Sequence, residues 1–295
     1  LNQTILGGTK TFDSHYVRFS LSGLKKIQLG DREKQIQFFS KSNLSNYIQY
    51  KHRQYWSGYV KVSYHWGAYR RLEYMLRHLD NYYMRHYKDL DITVNQLFAC
   101  SFTDREQRLL LSHPIKLRLW VTGSVSYTQR YYDRSFTEFD SDIVTTTLKV
   151  SKKFRDFGTI SLEGVYGIAD NITFGKGAKS SDLDRSYRHT ELYLPLSYDQ
   201  GMLGFEVVGF SLRTDFRQYE VEDIGDPLHS GRSHRETKFD IWGEKNVKEN
   251  LMISCTIRFR NRFTDSNYDW VSELKSFDQI HAWISIEWKM LYDRY

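Results

Sequence analysis

No stretch of this sequence approaches the ~20 consecutive apolar residues that a membrane-crossing helix requires, and the mean hydropathy is −0.61. A helical membrane protein is therefore excluded. A membrane barrel is not, because its strands alternate and average out as polar. Proline is scarce, with three in 295 residues, which suits strands, since proline cannot donate to a ladder. Only two cysteines occur, Cys100 and Cys255. Both lie on apolar phases and read as small hydrophobes rather than as a disulfide framework. Charge of one sign is not in great excess: 42 Lys and Arg against 36 Asp and Glu leave +6. That is far from a nucleic-acid-binding signature. There is no HExxH, no CxxC, no nucleophile elbow and no phosphate-cradling glycine loop. No metal, cofactor or catalytic residue is expected, and the chain does not read as an enzyme. The start at Leu1 has no basic segment followed by an apolar one. The expectation is that a signal, or a whole periplasmic domain, precedes Leu1 in the natural chain.

Aromatic residues are abundant at 16%, with 22 Tyr, 18 Phe and 7 Trp. They suit the aromatic girdles of a barrel, and equally an aromatic-rich soluble β protein. The segment Ile115–Tyr127 alternates almost without a break. Ile115, Leu117, Leu119, Val121, Val125 and Tyr127 share one face; Lys116, Arg118, Thr122, Ser124 and Ser126 share the other, where Trp120 is the bulky exception. At ~3.3 Å per residue such a strand reaches about 43 Å, enough to cross a ~30 Å hydrocarbon core when tilted. Similar alternation recurs at Val17–Leu21, Ile36–Phe38, Ile48–Tyr50, Val60–Trp66, Phe98–Phe102, Val144–Val150, Ile160–Ile168, Leu192–Tyr198, Leu251–Phe259 and Ile280–Met290. Between Leu203 and Leu212 the apolar phase switches, as a β-bulge would cause.

The connections alternate in length. Arg130–Ser141, Asp170–Arg188, Gln218–Arg235 and Arg262–Glu273 are long; Lys153–Gly158, Tyr198–Met202 and Gly243–Asn250 are short. Arg70–Leu90 fits an amphipathic helix through Leu72, Met75, Leu76, Leu79 and Tyr83, or a hairpin turning at Asp80 and Asn81; its strand-like neighbours favour the hairpin. Near the C-terminus Ile284, Ile286, Trp288, Met290 and Tyr292 alternate toward a closing aromatic.

With the long and short connections, that terminal strand resembles those of Gram-negative outer-membrane β-barrel proteins. The resemblance is architectural and identifies no particular porin or exporter. It implies one transmembrane up-and-down antiparallel β-barrel domain over residues 1–295, with long extracellular loops and short periplasmic turns. At ~20–24 residues per strand and connection, the length suggests about 12–14 strands. The resemblance also implies an outer-membrane location. The implied partners are outer-membrane lipid, lipopolysaccharide, the barrel-assembly machinery during biogenesis and periplasmic or membrane subunits.

If the apolar phases face lipid, the polar phases face a lumen. Candidate lining residues are Lys61, Lys116, Arg118, Lys149, Glu163, Glu191, Lys238, Asp240, Arg258, Arg260, Arg262 and Glu287. Their basic excess favours anions. The run Arg258, Arg260, Arg262 places three guanidinium groups on one strand face, suited to phosphate or carboxylate groups or to lipopolysaccharide at a rim. Acids cluster in two long loops, Asp133, Glu138, Asp140 and Asp142 in one and Glu220, Glu222, Asp223 and Asp226 in the other. Neither spacing matches an EF-hand. The leading expectation is an outer-membrane channel for hydrophilic solutes with some preference for anionic ones. The alternatives are a plugged lumen of paired charges, a barrel that passes or anchors a polysaccharide or surface protein, a lipid-modifying barrel enzyme and a soluble lectin-like sandwich.

Overall fold

A computed structural model describes residues 2–5, 8–11, 16–47, 51–88, 97–155, 158–175, 183–199, 201–222 and 224–288. Two short strands, β1 (Asn2–Ile5) and β2 (Gly8–Thr11), pair with each other. The remaining strands are β3 (Tyr16–Leu29), β4 (Asp31–Tyr47), β5 (Tyr55–Trp66), β6 (Arg71–Lys88), β7 (Leu97–Lys116), β8 (Leu119–Tyr132), β9 (Ser141–Phe154), β10 (Gly158–Asn171), β11 (Tyr187–Tyr198), β12 (Val207–Tyr219), β13 (Ser233–Lys248), β14 (Leu251–Asp265) and β15 (Phe277–Trp288). Among the described residues these thirteen make one sheet in which each strand neighbours the next in sequence, from β3 at one edge to β15 at the other. They run 12–20 residues, at least twice the usual strand of about 5–6. One short helix, α1 (Asp269–Lys275), precedes β15. No described helix is long and apolar enough to cross a membrane.

This all-β, sequentially ordered sheet is the coarse architecture expected from the alternation, and the thirteen described strands fall within the expected range. The connections alternate as expected too. Short turns follow β5, β7, β9 and β13, while β8, β10, β12 and β14 are followed by longer segments. The β11–β12 connection is longer than expected, spanning residues 199–206. Leu203 and Phe205 lie in it, so the phase switch there is a connection and not a bulge inside a strand.

Three expectations need correction. Ile115–Tyr127 is not one strand. β7 ends at Lys116, Leu117 and Arg118 form a turn, and β8 starts at Leu119. Arg118 has a left-handed backbone, φ 61°, and its carbonyl accepts from Lys153 N at 2.9 Å. Of Arg70–Leu90, the described residues 70–88 contain neither a helix nor a hairpin, since β6 runs straight through Asp80 and Asn81. Asn81 takes a left-handed conformation, φ 51°, as asparagine tolerates. Its side chain donates to the Gln54 carbonyl at 3.2 Å and accepts from Ser101 Oγ at 2.7 Å. Those bonds hold an irregular residue within a continuing strand. Third, Cys100 and Phe102 do not belong to the exposed apolar phase. They are buried on the same phase as Asp104. Ile48, Tyr50, Met290 and Tyr292 lie outside the described residues.

The chain divides into two compact units. The first comprises Leu1–Leu111, Val125–Val144 and Ala169–Arg185. Its register sets Ile36, Tyr64 and Leu72 side by side, then Phe38, Val62 and Tyr74, on one face of β4–β6. Tyr64, Leu72, Phe38, Val62 and Tyr74 are all exposed there. The opposite face carries Lys61, Ser63, Glu73 and Met75, of which Ser63, Glu73 and Met75 are buried.

The second unit comprises Ser112–Ser124, Thr145–Ile168 and Ser186–Tyr295. Here Leu194, Leu212, Phe239, Phe259 and Ile280 form one lateral row, and Leu196, Phe210, Ile241, Ile257 and Ala282 the next. Phe239 stacks between Phe210 and Phe259, with ring centroids 6.3 Å away on both sides. Most of these side chains are exposed, Ile280 by 71%. Among the described residues the second unit buries far more polar than apolar side chains, ten against two, and the first unit nine against six. A water-soluble domain has the reverse distribution.

Candidate functional site

The charged face of the second unit follows from strand register. In an antiparallel pair, directly opposite residues share a face. Tyr193, Arg213, Lys238, Arg260 and Gln279 are successive lateral neighbours on β11–β15. On one side of this row lie Glu191, Asp215, Glu236, Arg262 and Phe277. On the other lie Pro195, Ser211, Asp240, Arg258 and His281.

Glu236 is the centre of this lattice and is 4% exposed. Arg260 Nε donates to its Oε1 at 2.6 Å, and Lys238 Nζ lies 2.9 Å from the same oxygen. Arg262 donates to Oε2 through Nε at 2.8 Å and also through Nη2. One carboxylate therefore serves three cations. Arg258 makes a fork with Asp240, Nε to Oδ1 at 2.7 Å and Nη2 to Oδ2 at 2.8 Å. Such paired bonds between planar groups are among the strongest side-chain contacts. Arg213 lies 3.4 Å from Glu191, and Lys149 of β9 lies 3.4 Å from Glu163 of β10. Aromatic rings back the guanidinium groups: Tyr193 under Arg213 at 4.4 Å, Phe277 under Arg260 at 4.7 Å and Trp283 near Arg258 at 5.3 Å. Apart from Lys238 and Glu236, which are neighbours along β13, these contacts hold the cations across the sheet.

The first unit holds a second acid-centred cluster. Glu73, 3% exposed, faces Lys61 at 3.4 Å, Arg108 at 3.6 Å and Arg71 at 3.9 Å. On the same unit Arg130 forks onto Asp104 at 2.8 and 2.9 Å while its guanidinium lies 4.3 Å from the Phe102 ring. Arg77 reaches Glu106 at 3.3 Å.

The expected lining residues divide accordingly. Lys238, Asp240, Arg258, Arg260, Arg262 and Glu191 share one neighbourhood of the second unit; Lys149 and Glu163 pair with each other in that unit; Lys61 belongs to the Glu73 cluster. Glu287 lies opposite Met252 on the edge strand and is exposed. Lys116 and Arg118 are not mid-strand residues at all, because the hairpin puts Lys116 at a strand end and Arg118 in its turn. The run Arg258, Arg260, Arg262 is committed to Asp240 and Glu236 and does not present three unengaged guanidinium groups. Glu236, Glu73, Arg71, Arg108, Arg213 and the Asp104–Arg130 pair were not expected. Glu236 was detectable, since it alternates in phase with Lys238 and Asp240.

The acidic loop residues bond to backbone or to single side chains, Glu220 to Arg188 and Asp142 to Tyr127 among them, and Asp223 lies outside the described residues. Asp140 accepts from Tyr132 N at 2.6 Å, Asp133 accepts from Ser101, and Asp226 meets His229 at 2.8 Å. No group of metal-ligating side chains occurs among the described residues. His52, in a 3-10 turn (Lys51–Arg53), packs edge-on against Tyr83 at 4.8 Å. Burial, then His86 and Arg53, hold its pKa below the ordinary histidine range. Ser63 Oγ and His65 Nε2 are 3.0 Å apart. Among the described residues no carboxylate hydrogen-bonds that ring, and Ser63 is buried. The pair lacks both the orienting acid and the access of a nucleophilic site.

No known protein-family model matches this chain. No curated protein matches it either.

Proposed function

We propose that the chain is an outer-membrane β-barrel and forms a channel for hydrophilic solutes with a preference for anions. The observation that carries this reading is the inverted distribution of side chains. On β14 the apolar phase runs Phe259, Ile257, Cys255, Ile253, Leu251. Eight residue steps span about 27 Å along the strand, close to the ~25 Å apolar band of outer-membrane barrels. Soluble monomers rarely expose apolar patches beyond about 300–600 Å². The opposite face offers a water-bearing lining in which cations outnumber acids around Glu236 and Glu73. Anions gain from that field.

Closure of the sheet is part of the proposal. Thirteen antiparallel strands leave β3 and β15 running in the same sense, so a direct seam between them is parallel, and a fourteenth strand would make it antiparallel. A second reading, a barrel that anchors or passes a polymer without conducting small ions, is favoured by the extensive pairing of the lining charges. Planar-bilayer recording separates the two. The channel reading expects discrete conductance steps from heat-modifiable protein, and a reversal potential on the anion side in a potassium chloride gradient. Lys238→Gln with Arg213→Gln moves that potential toward cations. Folded, inserted protein without conductance overturns the channel reading. A chain that stays monomeric and soluble without detergent overturns the membrane reading as well.

A further inference from the structure

The two acid-centred clusters have the same composition and different geometry. Around Glu236 the donor–acceptor distances are 2.6–2.9 Å, ordinary charge-assisted hydrogen bonds. Around Glu73 the three cations stand at 3.4, 3.6 and 3.9 Å, beyond the usual N–H···O range of 2.7–3.2 Å. Glu73 therefore neutralises part of the local charge without consuming the donors. Nε of Arg71 and Nε of Arg108 are buried with no hydrogen-bond partner. Their neighbours cannot complete them. Arg108 Nη2 reaches the weak acceptor Met75 Sδ and the Glu73 carboxylate at 3.6 Å each, the latter beyond hydrogen-bond range, Glu106 is engaged by Arg77 and Asp104 by Arg130. Buried donors left without acceptors are costly unless an ion or water fills the gap. The cationic side chains themselves remain 30–40% exposed, so a solute can reach them while Glu73 is covered.

We propose that Lys61, Arg71 and Arg108, gathered around Glu73 on β5, β6 and β7, bind a tetrahedral oxyanion of the phosphoryl type. Three cations against one carboxylate leave a local charge of +2, which a dianion balances. Guanidinium groups suit it because their fixed fork of donors matches phosphate oxygens. Ser63, directly opposite Glu73, and His65, directly opposite Arg71, border the site. This goes beyond the channel reading and does not need it, since the site lies within one unit and binds whether or not the protein conducts.

The test is isothermal titration of the purified protein in detergent, at fixed ionic strength, with inorganic phosphate, methyl phosphate, sodium acetate and sodium chloride. Saturable binding of phosphate, with little heat from acetate or chloride, is expected. Binding of methyl phosphate as well assigns the site to phosphate monoesters; phosphate alone assigns it to the free ion. Lys61→Met and Arg108→Gln each weaken binding by about tenfold or more, as losing one charge-assisted contact of 1.5–3 kcal/mol implies. Glu73→Gln removes the competing carboxylate and tightens binding, by about tenfold for a charge a few ångströms from the ligand in a half-wet site. A purely structural cluster gives no such gain. Equal heats for phosphate and chloride, or a folded Glu73→Gln protein that binds phosphate no better than the wild type, overturn the proposal. Phosphate binding without conductance leaves the site standing and removes the channel; conductance without phosphate binding does the opposite.

Discussion

Replacing Glu236 by glutamine probes whether the charged face of the second unit is held by its acids. The carboxylate accepts from Arg260 at 2.6 Å, from Arg262 at 2.8 Å and meets Lys238 at 2.9 Å. Each charge-assisted contact contributes about 1.5–3 kcal/mol in favourable surroundings. The sum is not realised, because the neutral amide is cheaper to bury than a carboxylate and keeps one acceptor oxygen. The cations are also about 30% exposed, so solvent screens part of the repulsion released among them. Breaking a buried pair by removing one partner costs about 3–5 kcal/mol; with that screening, a loss of about 2–4 kcal/mol is expected here. Urea unfolding in detergent, followed by tryptophan fluorescence, measures it. The diagnostic is the cycle with Arg260→Gln. In the wild-type background Arg260→Gln destabilises, whereas beside Glu236→Gln it relieves repulsion, giving a coupling of about 1–3 kcal/mol. A Glu236→Gln protein within about 0.5 kcal/mol of the wild type, or additive effects in the cycle, would refute the account of Glu236 as the centre of the lattice.

Ile257→Arg on the exposed apolar face tests the membrane reading by magnitude. It should cost about 2–4 kcal/mol, or prevent insertion, if the face meets hydrocarbon, whereas an exposed position of a soluble protein changes by no more than about 0.5 kcal/mol; refolding into liposomes gives the answer. Cys255 lies on that face while Cys100 is fully buried. In liposomes an apolar maleimide should label Cys255 and a charged one should not, and neither should label Cys100 before unfolding; rapid labelling of Cys255 by the charged reagent contradicts a lipid-facing position. Arg118→Gly should stabilise the β7–β8 hairpin by up to about 1 kcal/mol, because glycine adopts a positive φ without the steric cost that an L-residue bears. The same substitution should leave single-channel conductance unchanged, and a lower conductance would return Arg118 to the lining.

The strands themselves were legible because alternation is a direct consequence of one apolar and one charged face. The β7–β8 turn was not, and the reason is parity. Ser112 pairs with Thr122 at 3.1 Å, and Asp104 pairs with Arg130. Even-numbered residues therefore face one another on both strands, while Leu109, Leu111, Ile115, Val125 and Tyr127 stay exposed on the odd phase. The apolar phase passes through the turn unbroken. No Gly, Pro, Asn or Asp marks it, because Leu117 and Arg118 occupy it and Arg118 absorbs the positive φ. β6 presents the converse. Asp80 and Asn81 look like a turn, yet the bond Asn81 donates to the Gln54 carbonyl and the one it accepts from Ser101 stabilise it within one strand.

Charge pairing is less legible than alternation, because it depends on which strands are neighbours and in what register. The lining cations could be placed on a phase from sequence, but their partners lie across the sheet. Arg260 and Arg262 meet Glu236 only because β13 and β14 pair with Glu236 opposite Arg262. Glu73 falls on the polar phase of a hairpin as of a single strand, but Lys61 and Arg108 lie on neighbouring strands and meet it only through register. Asp104 and Arg108 were obscured by Cys100 and Phe102, whose phase looks apolar at its start and becomes charged further along β7. The structure gives the physical reason. Near the loop end Phe102 packs against Tyr132 at 5.6 Å, and Tyr132 against Phe139 at 5.5 Å in the connecting 3-10 segment (Arg134–Phe139). There the charged face is dry because a loop covers it. Beyond that cover the same phase turns charged: Asp104 is still buried against Arg130, and Glu106 and Arg108 are progressively more exposed. Alternation reports that two faces differ. Which of them is wet changes along the strand with whatever packs against it.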